Sequence, residues 1–278
     1  MGRYFFKKIE VKMNLVEKIN KEIKDYNEDI ISTRRYLHEN PEVSGKEFET
    51  SKYLKKRCRE LGLYVEEVAG STGFTALLDT GRAGQTLGIR TDLDALAIEE
   101  DPYNLKEKKQ VVSKNPGVSH ACGHDSHMTI ALMSAKILKD LKDEIDGKIY
   151  FIFEEAEETG GGIDAMVEHL KDKGLNAVYG NHQSPALDVG KFSVIENAAY
   201  AGCAGVDFDV IGKGGHGSRP DLAINPLIAT AHIITALNSA WNNRLDLEKP
   251  VSLGISAVNG GAAANVIADK ANVKGTLR

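Results

Sequence analysis

Short apolar segments alternate with longer amphipathic segments through much of this chain. The short segments have the length and composition of buried strands, and they cover residues 74–78, 87–89, 149–153 and 177–179. Apolar residues at helical spacing predict helices between these strands, at about residues 128–141 and 163–170. Strands that alternate with helices in this way imply an α/β layer architecture.

Two helices are predicted before the first strand. Apolar residues recur at helical spacing over residues 15–37 with charged residues between them, which predicts one amphipathic helix that ends before Pro41. A second helix over residues 48–61 is predicted to stop at Gly62.

The character of the chain changes near residue 198. Residues 206–211 alternate apolar and acidic side chains, as a half-exposed strand does. A glycine-rich turn follows, then a helix at about residues 225–237 and strands over residues 251–258 and 271–277. This order predicts a small α+β domain. We therefore divide the chain into an extension over residues 1–12, a large domain over residues 13–197 and a small domain over residues 198–278.

Composition limits the kinds of binding partner and the cellular compartment to be expected for this chain. The net charge is −5 and the pI is about 5.9, which favours neither nucleic acid nor an anionic membrane as a partner. No apolar run is long enough to span a bilayer, and the basic start lacks the apolar segment of a secretory signal. The chain has three cysteines, and so small and odd a number argues against a disulfide framework. A cytoplasmic location is therefore expected.

Polar side chains follow three of the predicted strands. Asp92 and Asp94 come after the strand at residues 87–89, residues 157 and 158 follow the strand at 149–153, and His182 follows the strand at 177–179. In open α/β sheets, sites form beyond the carboxyl ends of the strands. We expect these groups to converge on one cleft.

Residues 120–127 carry three histidines, a thiol and a carboxylate. Imidazole, thiolate and carboxylate groups are the ligands of divalent transition metals. Cys122 and His124, two residues apart, can face the same side of an extended loop, whereas His120 and His127 are weaker candidates. Asp125 can orient a ligand imidazole. The alternative is a buried cysteine beside a hydrogen-bonded histidine, and the density of ligand types favours a metal site.

Residues 154–158 contain four glutamates and precede three glycines. Adjacent carboxylates permit one to bind metal while its neighbour takes a proton from water. A charge run is more often a solvated helix face, but its place at a strand end favours function. Asp92 and Asp94 are equally well explained as turn residues or as partners of a ligand histidine.

Weaker signals lie in the small domain. The glycine loop at residues 212–220 carries His216 but lacks the P-loop pattern, and a hairpin turn explains it as well. Asn265 offers an amide, and Arg278 offers a guanidinium suited to a carboxylate. A zinc deaminase and a serine hydrolase are both disfavoured, because the His-x-Glu with Pro-Cys-x-x-Cys pattern and the Gly-x-Ser-x-Gly elbow are missing.

Taken together, these segments resemble the amidohydrolase branch of the M20 metallopeptidase family. That branch includes hippurate hydrolases, N-acyl-amino-acid amidohydrolases and plant hydrolases of auxin conjugates. The resemblance is carried by His182 and by residues 34–42, 88–96, 120–127, 151–162, 212–220 and 260–278. It implies an α/β, mixed-sheet, zinc-peptidase-like catalytic domain and a smaller, incomplete ferredoxin-like lid domain that also forms a homodimer.

The resemblance also implies roles for individual residues. Two divalent metal ions (zinc, manganese, cobalt or nickel) would be held by Cys122, His124, Glu158 and His182. Glu157 matches the general base. His216 matches a residue that helps hold the scissile carbonyl, often across the dimer, while Asn265 and Arg278 match residues that bind the substrate carboxylate. Asp92 and Asp125 are expected to support the ligands.

The activity implied is hydrolysis of the amide bond of N-acyl amino acids or small peptide-like substrates, by metal-activated water with a glutamate base. The alternative is an inactive truncated or split-gene fragment, because family members extend past Arg278 and carry another histidine ligand there. Two local departures stand out. Glu154-Glu155 replaces the usual Gln-Pro, and the usual aliphatic-proline pattern near His182 is missing.

Overall fold

The computed structural model describes residues 14–104, 107–194, 196, 201–244 and 251–278, with the side chains of 241–244 left out. The chain divides into two compact units, the first ending at Asp188 and the second starting at Val189. This division lies nine residues before the predicted boundary after residue 197. The predicted extension over residues 1–12 lies outside the described residues.

The first unit is built on a five-stranded mixed sheet. Its strands are β1 (Tyr64–Glu67), β2 (Phe74–Asp79), β3 (Thr86–Asp92), β4 (Lys148–Glu154) and β5 (Ala177–Gly180), in the order β1-β2-β4-β3-β5. Strand β3 runs parallel to both β4 and β5, whereas β1 pairs with β2, and β2 with β4, in antiparallel fashion. The predicted mixed sheet is confirmed; only β1 was not predicted.

In the described part of this unit, the helices are α1 (Leu15–Asp25), α2 (Asn27–Glu39), α3 (Phe48–Glu60), α4 (His124–Asp140) and α5 (Ile163–Leu170). The single helix predicted over residues 15–37 is wrong, because the chain breaks at Tyr26 into α1 and α2. The Tyr26 hydroxyl donates to Asp140 at 2.7 Å, and the Lys136 ammonium lies 3.7 Å from the ring centroid. These contacts with α4 accompany the break. The predicted stop of α3 is confirmed, with Gly62 at φ +77°.

Alternate residues of β4 face two apolar layers. Phe151 and Phe153 belong to the main core, where Phe153 stacks on Phe74 with ring centroids 4.3 Å apart. Tyr150 and Ile152 point the other way and pack with Met166 of α5. Helices α2, α3 and α4 contribute further buried side chains to the main core, including Leu37, Leu54, Met128 and Leu132. Helices therefore cover both faces, as the α/β prediction requires.

Strand β5 differs from its prediction as a buried strand. It pairs with β3 alone among the described residues, and all four of its residues are exposed. Val178 is 55% exposed and Tyr179 61% exposed. The apolar composition gave the correct element, but the strand lies at the edge of the sheet.

The second unit, taken by itself, is an α+β fold. It contains β6 (Ala204–Ile211), β7 (Gly215–His216), α6 (Pro226–Arg244), β8 (Leu253–Gly260), β9 (Val266–Ile267) and β10 (Lys270–Leu277). Strands β6, β10 and β8 form an antiparallel sheet in that order, and β7 pairs with β9. The alternation in β6 is confirmed: Asp207 and Asp209 are exposed and pair with Lys274 and Lys270. No helix in the described parts of the chain has the length and apolar composition needed to cross a membrane.

Candidate metal centre

The carboxyl ends of β3, β4 and β5 lie at one edge of the sheet in the first unit. Asp92 and Glu154 pair as the last residues of the parallel strands β3 and β4, and Gly180 at the end of β5 pairs with Arg90. The chain then carries Glu157, Glu158 and His182 onward from these ends. The Nε2 atom of His182 lies 3.4 Å from the Sγ atom of Cys122. The structure therefore brings the predicted strand-end groups to one place.

Cys122 and His124 lie at the start of a helix, not on the extended loop that was predicted. Gly123 precedes α4 with φ +85°, a left-handed conformation that glycine adopts without a steric penalty. His124 is the first residue of the helix. The turn still brings both side chains to His182: one donor atom from each of the three residues lies within 4.8 Å of the others.

The imidazole of His124 is buried and oriented by Asp94. Its Nδ1 atom lies 2.8 Å from the backbone carbonyl of Asp94 and 3.2 Å from the Asp94 carboxylate. Because a carbonyl oxygen only accepts, Nδ1 carries the proton and donates it. The Nε2 lone pair is left facing Glu157 at 3.8 Å and Glu158 at 3.6 Å. This is the arrangement of a metal-binding histidine whose second nitrogen is anchored.

Asp92 holds a different histidine from the one expected. Its carboxylate accepts from the Nδ1 atom of His127 at 2.9 Å, and the Nε2 atom of His127 accepts from the backbone N–H of Gln183 at 2.9 Å. Both nitrogens of His127 are therefore used. The two hydrogen bonds that link Asp92, His127 and Gln183 hold the backbone beside His182 in place. Sequence spacing could not decide between Asp92 and Asp94 as the partner of His124.

Asp125 also points elsewhere than predicted. It lies 2.7 Å from Nδ1 of His38 and 2.9 Å from Nε of Arg34, and the Nε2 atom of His38 lies 3.0 Å from Glu100. Sequence reasoning missed His38, although it stands in the segment at residues 34–42 that carries the family resemblance. His120 is buried with neither ring nitrogen bonded to a described residue, and burial lowers its pKa to about 4.

The two candidate glutamates lie on a strained turn after β4. Ala156 adopts φ +52° and ψ +46°, a left-handed conformation that costs a non-glycine residue about 1–3 kcal/mol. A short 3-10 helix, Glu157–Thr159, follows, and the backbone N–H of Glu158 donates to the Asp94 carboxylate at 3.1 Å. The turn is thus tied to the residue that orients His124.

Electrostatics within the cluster favour a bound cation. Burial, together with the nearby Glu158 and Glu157 carboxylates, raises the pKa of the Cys122 thiol to about 12. Burial also raises the pKa of Glu157, with Glu158 and Asp92 adding to the shift while His124 and Arg90 oppose it. Two buried atoms, Nε2 of His124 and Oε1 of Glu158, have no hydrogen-bond partner among the described residues. Unpaired buried polar atoms are costly, so the donor set fits a divalent ion that would bind both.

The other predicted site residues lie in the second unit. Nδ1 of His216, on β7, lies 2.8 Å from the Ser218 hydroxyl, and His216 pairs with Val266 across β7 and β9. The N–H of Gly217 donates to the Asn265 carbonyl at 2.8 Å. His216 and Asn265 are therefore neighbours within this unit. The Arg278 backbone exchanges two hydrogen bonds with Ser252. The roles assigned to these residues stay predictions.

The chain is similar to a protein family and to individual proteins of known name. Residues 88–273 match the family model described as Peptidase family M20/M25/M40. The chain is 37% identical over 269 residues to Thermostable carboxypeptidase 2 of Saccharolobus solfataricus, covering 96% of this chain and 67% of the relative. It is 33% identical to the N-acyl-L-amino acid amidohydrolase of Geobacillus stearothermophilus, covering 94% of this chain and 70% of the relative.

A solved structure gives a similar result. The Bacillus subtilis YXEP protein, described as a dinuclear metal binding peptidase from the M20 family, superimposes with a TM-score of 0.73 at 32% identity. The match covers 92% of this chain and 65% of that one. The chain therefore spans about two thirds of the length of these relatives.

The cluster around His38 predicts a pH-dependent stability. The hydrogen bond with Asp125 is the main cause that raises the His38 pKa, while burial and Arg34 oppose it and Glu100 adds to it. A raised folded pKa means that this stabilisation is complete below the unfolded value of about 6.5 and is lost as pH rises through the folded value. We expect the free energy of unfolding to fall as pH rises above about 6.5, and to fall less in His38→Gln.

Urea unfolding at several pH values measures this effect. Asp125 and Glu100, whose pKa values are lowered, remain ionised throughout that range. His232→Gln, at an exposed histidine of α6, is the matched control. Equal pH slopes in wild type and His38→Gln would refute the assignment.

Proposed function

The chain belongs to peptidase family M20/M25/M40, and from that membership we propose that it hydrolyses the amide bond of N-acyl amino acids or small peptide-like substrates with the help of bound metal. The observation that carries the proposal is the cluster of Cys122, His124, Glu157, Glu158 and His182, with the Nε2 atom of His124 buried and unbonded to the described residues. Relatives named as a carboxypeptidase and as an amidohydrolase share amide cleavage as their common chemistry.

We propose Cys122, His124, Glu158 and His182 as the ligands of two divalent ions. Cys122, His124 and His182 form one group of close donor atoms, and His124, Glu157 and Glu158 form another. The single free nitrogen of His124 would bind one of the two ions. Bound ions of this kind lower the pKa of water and polarise a carbonyl oxygen. The thiolate favours zinc, while the glutamate ligand also accommodates manganese, cobalt and nickel.

Glu157 is proposed as the general base. Its side chain is 38% exposed, more than that of Glu158 at 20%, so it is open to water and substrate. Its raised pKa moves the carboxylate toward the range in which it can take a proton and later release it. In this role a Glu157 carboxylate oxygen removes a proton from the attacking water and then delivers it to the leaving nitrogen.

The second unit is proposed to bind the rest of the substrate. The His216 imidazole would stabilise the oxyanion, and the Asn265 amide and Arg278 guanidinium would hold the free carboxylate of an N-acyl amino acid. The pairing of β7 with β9, which places His216 beside Asn265, supports a joint role. We further propose that this unit is a ferredoxin-like lid and that the protein forms a homodimer through it.

Two further points belong to the proposal. A cytoplasmic location is supported by the three cysteines, all of which are unpaired thiols. The competing proposal is that the chain is an inactive fragment of such a hydrolase, because it spans about two thirds of the length of its relatives. Turnover of an N-acyl amino acid by the 278-residue chain decides between the two.

Replacement of the proposed base gives the most direct test of the mechanism. Glu157→Gln should retain its metal and lose hydrolysis by about 100-fold or more, because removal of a positioned proton acceptor typically costs that much. Hydrolysis of N-acetyl amino acids and elemental analysis measure the two properties. Glu155→Gln is the control, since Glu155 lies in the same segment but accepts from Ser71. Turnover like that of wild type in Glu157→Gln would overturn the assignment.

The thiol ligand gives a separate test that does not depend on activity. Cys122→Ser should bind zinc at least about tenfold more weakly, because a hydroxyl stays protonated where a thiolate coordinates the metal. Competition with a chelator measures the affinity. Cys203→Ser removes an exposed thiol of the second unit and should leave it unchanged. If both variants bind zinc as wild type does, Cys122 is not a ligand.

A further inference from the structure

Glu47 is a fully buried carboxylate just before α3, with 0% of its surface exposed. A buried carboxylate is unfavourable unless hydrogen bonds replace its water. Burial raises the pKa of Glu47, and hydrogen bonds to its oxygens oppose that shift. The side chain belongs to none of the three groups of possible metal ligands found among the described residues, so its burial needs another explanation.

Three neutral donors converge on this carboxylate. Its Oε1 atom accepts from the backbone N–H of Gly45 at 2.8 Å and from that of Ala156 at 3.0 Å. Its Oε2 atom accepts from the Thr72 hydroxyl at 2.8 Å. Glu47 therefore connects the start of α3 to two segments that are distant in sequence.

The contact with Ala156 lies where the catalytic turn begins. Ala156 has the only positive φ among the described residues other than glycine, and Glu157 and Glu158 follow it directly. Its carbonyl accepts from Thr159 and Gly161, which closes the turn. The turn is also tight at its far end: a Cβ atom on Gly162 would lie 2.0 Å from the Glu155 carbonyl oxygen. Such a conformation persists only where its surroundings enforce it.

The segment at residues 44–47 supports the same turn a second time. The Ser44 hydroxyl donates to the Asp94 carboxylate at 2.6 Å, and the same carboxylate oxygen accepts from the backbone N–H of Glu158 at 3.1 Å. One short segment thus fixes the backbone just before Glu157 through Glu47 and the backbone just after it through Asp94.

We propose that Glu47 is a positioning residue that holds the turn carrying Glu157 and Glu158 in the conformation in which both carboxylates face Nε2 of His124. The significance for catalysis rests on the function proposed above. Displacement of a catalytic group by about 1 Å can lower turnover about 100-fold, so support for this turn bears on the rate as well as on stability.

Two substitutions of Glu47 distinguish support of the turn by hydrogen bonds from simple side-chain packing. Glu47→Gln can keep all three contacts, because its carbonyl accepts from Gly45 and Ala156 while its amide donates to the Thr72 hydroxyl. Glu47→Met keeps the length of the side chain and removes the acceptors. Glu42→Met is the matched control, since the Glu42 carboxylate accepts from the backbone N–H groups of Glu49 and Thr50 and makes no hydrogen bond to the described residues of the turn.

The first measurement is amide hydrogen exchange of the peptide covering residues 155–162. We expect exchange at least about tenfold faster than wild type in Glu47→Met, and close to wild type in Glu47→Gln and in Glu42→Met. Unchanged exchange in Glu47→Met would overturn the proposal. If Glu47→Met does not fold, Thr72→Val gives the same comparison with an expected increase of about threefold, since it removes only the donor to Oε2.

Zinc affinity and turnover form the second measurement. Glu47→Met should bind zinc at least about tenfold more weakly, and its kcat should fall by a larger factor than its KM changes. Glu47→Gln and Glu42→Met should stay within about twofold of wild type in all three quantities. Equal losses in Glu47→Met and Glu42→Met would reduce Glu47 to a structural residue. If wild type itself binds no zinc, the proposed function fails, and the exchange result still decides whether Glu47 holds the turn.

Discussion

The hydrogen bond from Nδ1 of His124 to Asp94 is the interaction on which the candidate centre depends. It fixes the imidazole tautomer and leaves Nε2 as a free lone pair facing Glu157 and Glu158. The Asp94 carboxylate also accepts from Ser44 and from the Glu158 backbone. Loss of this one carboxylate would remove a hydrogen bond from the ligand histidine and another from the catalytic turn, and would leave His124 its hydrogen bond to the Asp94 backbone carbonyl.

Charge balance explains why the cluster suits a cation. Arg90 reaches both Asp92 and Glu154 at 2.8 Å and so compensates the two strand-end carboxylates. In the described parts of the chain, no lysine or arginine forms an ion pair with Glu157 or Glu158. Both carboxylates lie beside Cys122 and raise the pKa of its thiol. A divalent ion would compensate this negative charge and would lower the pKa of the thiol.

Much of the fold could be predicted from the sequence, because the spacing of apolar residues and the local composition determine where helices and strands form. The apolar runs gave β2 to β5, and Gly62 gave the end of α3. Two errors have non-local causes. The break at Tyr26 accompanies contacts with Lys136 and Asp140 of α4, more than a hundred residues away, and the exposure of β5 depends on its place at the edge of the sheet.

The site shows the same division. The residue types in the segment at residues 120–127 indicated metal chemistry, and the strand ends gathered the polar groups as expected. The partners of those groups could not be predicted. Asp92 binds His127, Asp94 binds His124, and Asp125 binds His38. The packing of α4 against both β3 and α2 decides which of these side chains meet. Glu47 carried no sequence signal that distinguishes it from a surface glutamate.

Elemental analysis of the purified chain, after exposure to zinc or manganese and removal of excess ion, tests the central claim most directly. We expect two divalent ions per chain, held by His124 and the groups around it. A chain that folds and retains none would contradict the assignment of this cluster as a metal centre.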